Sequence, residues 1–144
     1  MLFRSNPEQW ELFRAERPRT ATDEIIRWAT PVTAFQRTAL RDVVVGGQAI
    51  PAGERVGLLY ASANFDEDVF TDPYTFDITR DPNPHVGFGG GGPHYCMGNF
   101  VAKMQLRAIF DQLLHRAPTL ELGEPTYLAG NFVHAVKSLP CRIR

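Results

Sequence analysis

Cysteine is scarce in this sequence: Cys96 and Cys141 are the only two among 144 residues. Their spacing supplies no disulfide framework. A zinc centre drawn from Cys96, His94, His85 and His134 is a poor fit, because zinc sites bring a second cysteine or a closely spaced ligand pair. Net charge is nearly absent as well, and a formal −1 gives no electrostatic attraction toward nucleic acid or an anionic membrane. No apolar run is long enough for a membrane span. Arg4, Glu8 and Glu11 break up any stretch resembling a signal peptide, so a cytoplasmic protein is expected. Repeats and low-complexity linkers are missing too. The remaining balance, 44% hydrophobic and 22% charged, is that of one soluble domain able to bury a core.

Glycine, by contrast, is concentrated. The run Gly87-Phe88-Gly89-Gly90-Gly91-Gly92-Pro93-His94-Tyr95-Cys96-Met97-Gly98 puts one cysteine at the end of a glycine-rich loop. Consecutive glycines reach backbone dihedrals closed to other residues and let a flat ligand approach the main chain. Apolar residues then recur at Met97, Val101, Met104, Ala108, Ile109, Phe110, Leu113 and Leu114. That spacing predicts an amphipathic helix to Arg116 with one buried face. Cys96 stands at its N-terminus, where free N–H groups and the positive end of the dipole favour a thiolate. Such a thiolate suits proximal ligation of a haem iron. The competing reading is a structural cysteine after a flexible loop, the commoner fate of a lone cysteine.

Upstream, residues 1–17 read as a helix, with a start at Asn6-Pro7 and a stop at Pro18. A second helix begins near Thr20 or Thr22, the latter in a capping signal, and ends at Thr30-Pro31. It sets Glu24 and Arg27 three apart on one face. On that pair alone, a solvated ion pair worth well under ~1 kcal/mol is the better account. Val32-Thr33-Ala34-Phe35 is extended, Leu40 to Ile50 is a hairpin broken at Gly46-Gly47, and Arg55 to Tyr60 is a strand. Ser62 to Asp66 opens a helical turn, and the proline-rich stretch from Arg80 to Phe88 is an ordered meander. Strands recur at Thr119 to Leu122, Val133 to Val136 and around Cys141. The fold class is mainly α with small β-sheets (α+β).

Phe88, the glycines, His94 and Cys96-Met97-Gly98 together resemble the cysteine-ligand loop of the cytochrome P-450 family. Phe88 lies one residue further from the cysteine than the commonest family spacing. The Glu24-x-x-Arg27 helix lies upstream of the loop as in that family, and Arg80 fits the second arginine that meets it. The resemblance spans essentially the whole chain but only the C-terminal part of the cytochrome P-450 fold, so 1–144 would be a partial domain. It implies haem b held by Cys96, with Phe88, Gly89 and Gly98 around it and Arg37 and His94 toward the propionates. Arg37 is otherwise a surface arginine beside Asp42. Glu24, Arg27 and Arg80 would form a buried structural network, and Val32, Thr33, Ala34, Phe35 and Phe132 would line the substrate cavity. Phe65 departs from the many relatives that carry arginine there. Thr30 to Thr38 and Ser62 to Asp66 look most like a mycobacterial branch that oxidises the terminal methyl of the steroid side chain in cholesterol and cholest-4-en-3-one. The implied activity is insertion of one oxygen atom from O2 into a C–H bond, with electrons from a ferredoxin and its reductase. A haem-binding module without catalysis and a truncated remnant that binds nothing remain open. The 144 residues alone are expected to be inactive, because no helix with the family's distal acid–alcohol pair precedes Glu24.

Overall fold

Asn6 decides how the N-terminal helical stretch is divided. In a computed structural model describing residues 2–143, α1 spans Leu2–Ser5 and α2 spans Pro7–Glu16. The Asn6 side chain does not cap α2. Its Nδ2 donates back to the Leu2 carbonyl at 2.9 Å, beside its own backbone N–H at 3.1 Å. The continuous helix expected over 1–17 is therefore two helices, since asparagine competes locally with the helical ladder. Arg17, left-handed at φ 49°, closes α2 with its N–H on the Phe13 carbonyl. α3 spans Ala21–Ala29. Thr22 lies inside its first turn and donates to the Arg19 carbonyl at 3.4 Å, so it is not the cap. Thr20 gives its hydroxyl to the Ile78 carbonyl at 2.6 Å, tying the helix start to the later meander.

β1 (Ala34–Thr38) pairs antiparallel with β4 (Arg55–Leu59), with Arg37 opposite Val56. Gln36, Arg37 and Thr38 thus belong to the strand, and Val32 instead forms an isolated bridge to Val133. β2 (Val43–Val45) and β3 (Gln48–Ile50) form the expected hairpin. Gly46 and Gly47 join them with φ of +57° and +80°, the sign a tight hairpin turn needs at both positions. α4 (Tyr60–Asn64) follows β4 directly. α5 spans Asn99–Arg116, two residues later than Met97 suggests. β5 (Leu120–Leu122) pairs with β8 (Cys141–Ile143), and β6 (Thr126–Tyr127) with β7 (Val136–Ser138). The architecture is helical, with four two-stranded sheets among the described residues.

The core forms where α2, α3 and the 76–78 segment meet: Phe13, Ala21, Phe76 and Ile78 are buried there. Phe3 sits 5.1–5.7 Å from the rings of Trp10, Phe13, Phe76 and Phe110. α5 joins this core through Phe110 and Leu114. The single buried face expected of α5 is only partly realised. Met97 and Phe100 are 96% and 80% exposed, with Val101 and Met104 also open. The N-terminal half of α5 meets Asp23 of α3 through Lys103 and the Arg19 carbonyl just before α3 through Arg107, polar contacts that leave the apolar stripe uncovered.

Candidate functional site

α3 carries Glu24 and Arg27 on its inward face, both fully buried. Arg27 Nε and Nη2 donate to the two Glu24 carboxylate oxygens at 2.8 Å each, the paired geometry of a strong guanidinium–carboxylate contact. Arg27 Nη1 donates to the carbonyls of Asn64 (2.7 Å) and Pro73 (3.0 Å). Glu24 also accepts the Asp77 N–H at 3.0 Å and Asn83 Nδ2 at 2.9 Å. Arg80 brings Nε to 3.3 Å from Glu24 Oε2, while its Nη atoms hold the Thr71, Asp72 and Thr75 carbonyls. The rings of Trp28, Phe65 and Phe70 lie 5.1–5.5 Å from the Arg27 guanidinium. The structure therefore gathers Glu24, Arg27 and Arg80 into one desolvated network, where a solvated pair is geometrically impossible. Phe65, the departure noted in the sequence, faces that cation with its ring.

The cysteine loop is folded by its own backbone. Val86 accepts the Gly89 N–H at 2.8 Å, and the Phe88 carbonyl accepts the Cys96 N–H at 2.9 Å. Gly89 has φ +98°, and a Cβ there would meet the His94 carbonyl at 3.8 Å. Cys96 is a free, half-buried thiol. It lies three residues ahead of α5, and its carbonyl accepts both the N–H (3.3 Å) and Nδ2 (2.8 Å) of Asn99. A Cβ at Gly98 would stand 3.8 Å from Cys96 Sγ, so glycine leaves the sulfur's flank open.

Arg37 and His94 are both exposed. Arg37 lies over the Phe35 ring at 5.6 Å and donates to the Gln36 carbonyl, whereas Asp42 accepts the Ala52 N–H. The segment from Val32 to Phe35 meets the 131–133 stretch. The Thr33 N–H reaches the Phe132 carbonyl at 2.9 Å, and the Phe35 and Phe132 rings lie 5.3 Å apart.

Asp23, Asn64, Asn83 and Lys103 escape a reading of the sequence, being common surface types without spacing signals, and His85 enters it only in a poorly fitting zinc set. His85 Nε2 lies 3.0 Å from Asp23 Oδ1, which Lys103 Nζ also reaches. The Gly87 N–H donates to His85 Nδ1 at 3.1 Å, which leaves the ring proton on Nε2 facing Asp23. Burial alone would raise the Asp23 carboxyl, but hydrogen bonds from His85 and Lys103 and the Lys103 charge outweigh it and hold it below the ordinary 3.8. A group lowered by folding adds stability above its unfolded value and loses it as pH falls through the folded one. Asp23→Asn is therefore expected to flatten the loss of stability below pH 3.8. Urea midpoints between about pH 5 and 2 check this, and an acid limb as steep as in the parent chain would contradict it.

The donor set suits a particular kind of group. Among the described residues, no three His, Cys, Asp or Glu side chains converge to hold a bare metal ion. Cys96 offers one thiol on a fixed backbone, flanked by glycines that leave room for a flat molecule. A single thiolate fits a metal that arrives with its other donors already in a planar macrocycle, as haem iron does. No helix among the described residues is long and apolar enough to cross a membrane.

Known proteins resemble this chain over most of its length. The family model described as Cytochrome P450 matches residues 19–118. A steroid C26-monooxygenase of Mycolicibacterium smegmatis is 55% identical over 136 residues, covering 94% of this chain and 32% of the relative. A methyl-branched lipid omega-hydroxylase of Mycobacterium tuberculosis is 45% identical over 139 residues, covering 93% and 32%. Among solved structures, a Mycobacterium marinum cytochrome P450 in complex with pseudoionone superposes with a TM-score of 0.93 at 51% identity, covering 96% of this chain and 34% of that one. The chain thus spans about a third of the length of the curated relatives it matches.

Proposed function

This chain belongs to the cytochrome P450 family, and we propose that residues 1–144 form the cysteine-bearing part of a haem-thiolate monooxygenase domain. That family binds haem. The observation that carries the reading is Cys96, a lone free thiol on a loop whose backbone is fixed and whose flanks are glycine. Haem b bound there supplies dioxygen activation and transfer of one oxygen atom to a C–H bond. Cys96 would hold its iron in this reading, and the Phe88 carbonyl positions the thiol by fixing the Cys96 N–H. Gly89 and Gly98 leave room beside it, and Arg37 and His94 would hold the propionates. Glu24, Arg27 and Arg80 keep the supporting scaffold in place. Val32, Thr33, Ala34, Phe35 and Phe132 border the substrate. The substrate is a sterol-like molecule oxidised at a terminal methyl, as in cholest-4-en-3-one. Two observations favour this class: the 55% identity to a steroid C26-monooxygenase and the apolar Phe35–Phe132 pair. Ferredoxin and ferredoxin reductase in the cytoplasm are the electron donors of this scheme.

A second reading, binding without turnover by the 144 residues themselves, is favoured by solvent access. Phe132 is 51% exposed and Met97 96%, so water reaches both residues. One experiment separates the two. The chain is supplied with haemin, and the ferrous carbonyl absorption is compared with that of Cys96→Ser. Product from cholest-4-en-3-one is then measured with ferredoxin, reductase and NADPH. A red-shifted thiolate absorption that disappears in Cys96→Ser is expected, with no product above a haem-only control. Survival of that absorption without the thiol overturns the assignment of Cys96. Turnover well above control overturns the binding-only reading.

A further inference from the structure

The Glu24 network does not reach the cysteine loop by itself. The hydrogen bonds described for the Glu24, Arg27 and Arg80 side chains end at residues 64, 71–77 and 83, short of Val86. We propose that Asn64 is the positioning residue that couples this network to the loop bearing Cys96, an inference that rests on Cys96 being the haem ligand. Asn64 is fully buried at the end of α4. Its backbone carbonyl accepts Arg27 Nη1 at 2.7 Å. Its side-chain Oδ1 accepts the Val86 N–H at 2.8 Å, and its Nδ2 donates to Thr30 Oγ1 at 3.0 Å. The amide orientation is unambiguous. Val86 offers only a donor, so Oδ1 must face it. The Thr30 hydroxyl proton is committed to the Arg27 carbonyl at 2.7 Å, so only its lone pair is left to receive Nδ2.

From Val86 the order passes to the ligand in two steps. The Val86 carbonyl takes the Gly89 N–H, and the Phe88 carbonyl between them takes the Cys96 N–H. Only a short primary amide donates to Thr30 and accepts from Val86 at once. Leucine has the shape without either bond, and aspartate would set a lone pair against the Thr30 oxygen. Asn64 therefore does more than fill space: it transmits the α3 position to the loop.

The test compares two losses at the same residue. Asn64→Ala removes the bond to the loop, whereas Thr30→Val removes the hydroxyl partner of Asn64 Nδ2, which keeps a 3.5 Å contact to the Arg27 carbonyl, and leaves the loop bond intact. In the haem-free chain, Asn64→Ala should speed amide exchange at Val86 and Cys96 about tenfold or more, the worth of one buried hydrogen bond. Thr30→Val should leave both within about twofold while lowering global stability. Asn64→Asp keeps the acceptor and should restore slow exchange at Val86. With haemin added, Asn64→Ala should shift the carbonyl absorption from the thiolate toward the neutral-thiol form, and Thr30→Val should not. Equal exchange in Asn64→Ala and the parent, or equal acceleration in Thr30→Val, overturns the proposal. A retained thiolate absorption in Asn64→Ala overturns it as well. If Asn64→Ala does not fold, the scalar coupling across the Val86 N–H to Asn64 Cγ in the unsubstituted chain decides: its presence supports the tie and its absence ends it. Should the parent itself give no thiolate absorption, the haem reading fails on its own, while the exchange data still judge Asn64.

Discussion

Replacing Glu24 with alanine is expected to lower stability by ~3–5 kcal/mol, because it strands a guanidinium with no exposed surface. Arg27→Ala should cost a similar amount by stranding the carboxylate, which keeps only Arg80, Asn83 and the Asp77 N–H. The urea midpoint of either variant should fall by about 2 M at an ordinary slope for this size. The double variant should cost far less than the sum, with a coupling of about 2 kcal/mol or more, since each single change already breaks the same paired contact. Small, additive shifts would place these charges in solvent, against the observed burial.

The second large effect comes from a residue with no side chain. A Cβ at Gly87 would stand 2.6 Å from Ile26 Cγ2 and 3.2 Å from His85 Nδ1. Ile26 is buried, and its branched methyl is fixed close to the helix backbone, so it cannot swing aside. Gly87→Ala should destabilise by ~1–3 kcal/mol through overpacking and push the loop off α3. Combined with Ile26→Leu, which removes that branch, most of the loss should return. Equal midpoints for Gly87→Ala with and without Ile26→Leu would show that the clash is not the cause.

These residues also show where a sequence is readable. Gly46-Gly47 announces itself through the turn it needs, whereas the i, i+3 spacing of Glu24 and Arg27 alone favours a solvated pair and only the family resemblance points to burial. Cys96 stands out because so many glycines precede it. Asn64 gives no such sign: its partners Thr30 and Val86 lie 34 and 22 positions away, and only the folded chain brings them together. The same holds for β1, whose polar residues 36–38 are held in a strand by pairing with Arg55–Leu59. Asn6-Pro7 does mark the start of α2, yet the Asn6 side chain turns back to Leu2 instead of capping the helix. The α5 stripe was legible as apolar, but periodicity says nothing about whether a neighbour lies over it.

The wide hydration of the chain, the open flank of α5 included, has a calorimetric consequence. The chain exposes 10026 Å2, whereas a compact monomer of its mass exposes about 7,500 Å2. Roughly 2,500 Å2 is therefore already hydrated before unfolding begins. Surface already wet in the folded state adds nothing to the heat-capacity increment of unfolding, which drops by about a sixth from the usual ~12–15 cal/mol/K per residue. The curve of stability against temperature broadens accordingly. Cooling and warming by the same amount then change the folded population less than they do in a fully enclosed domain of equal length.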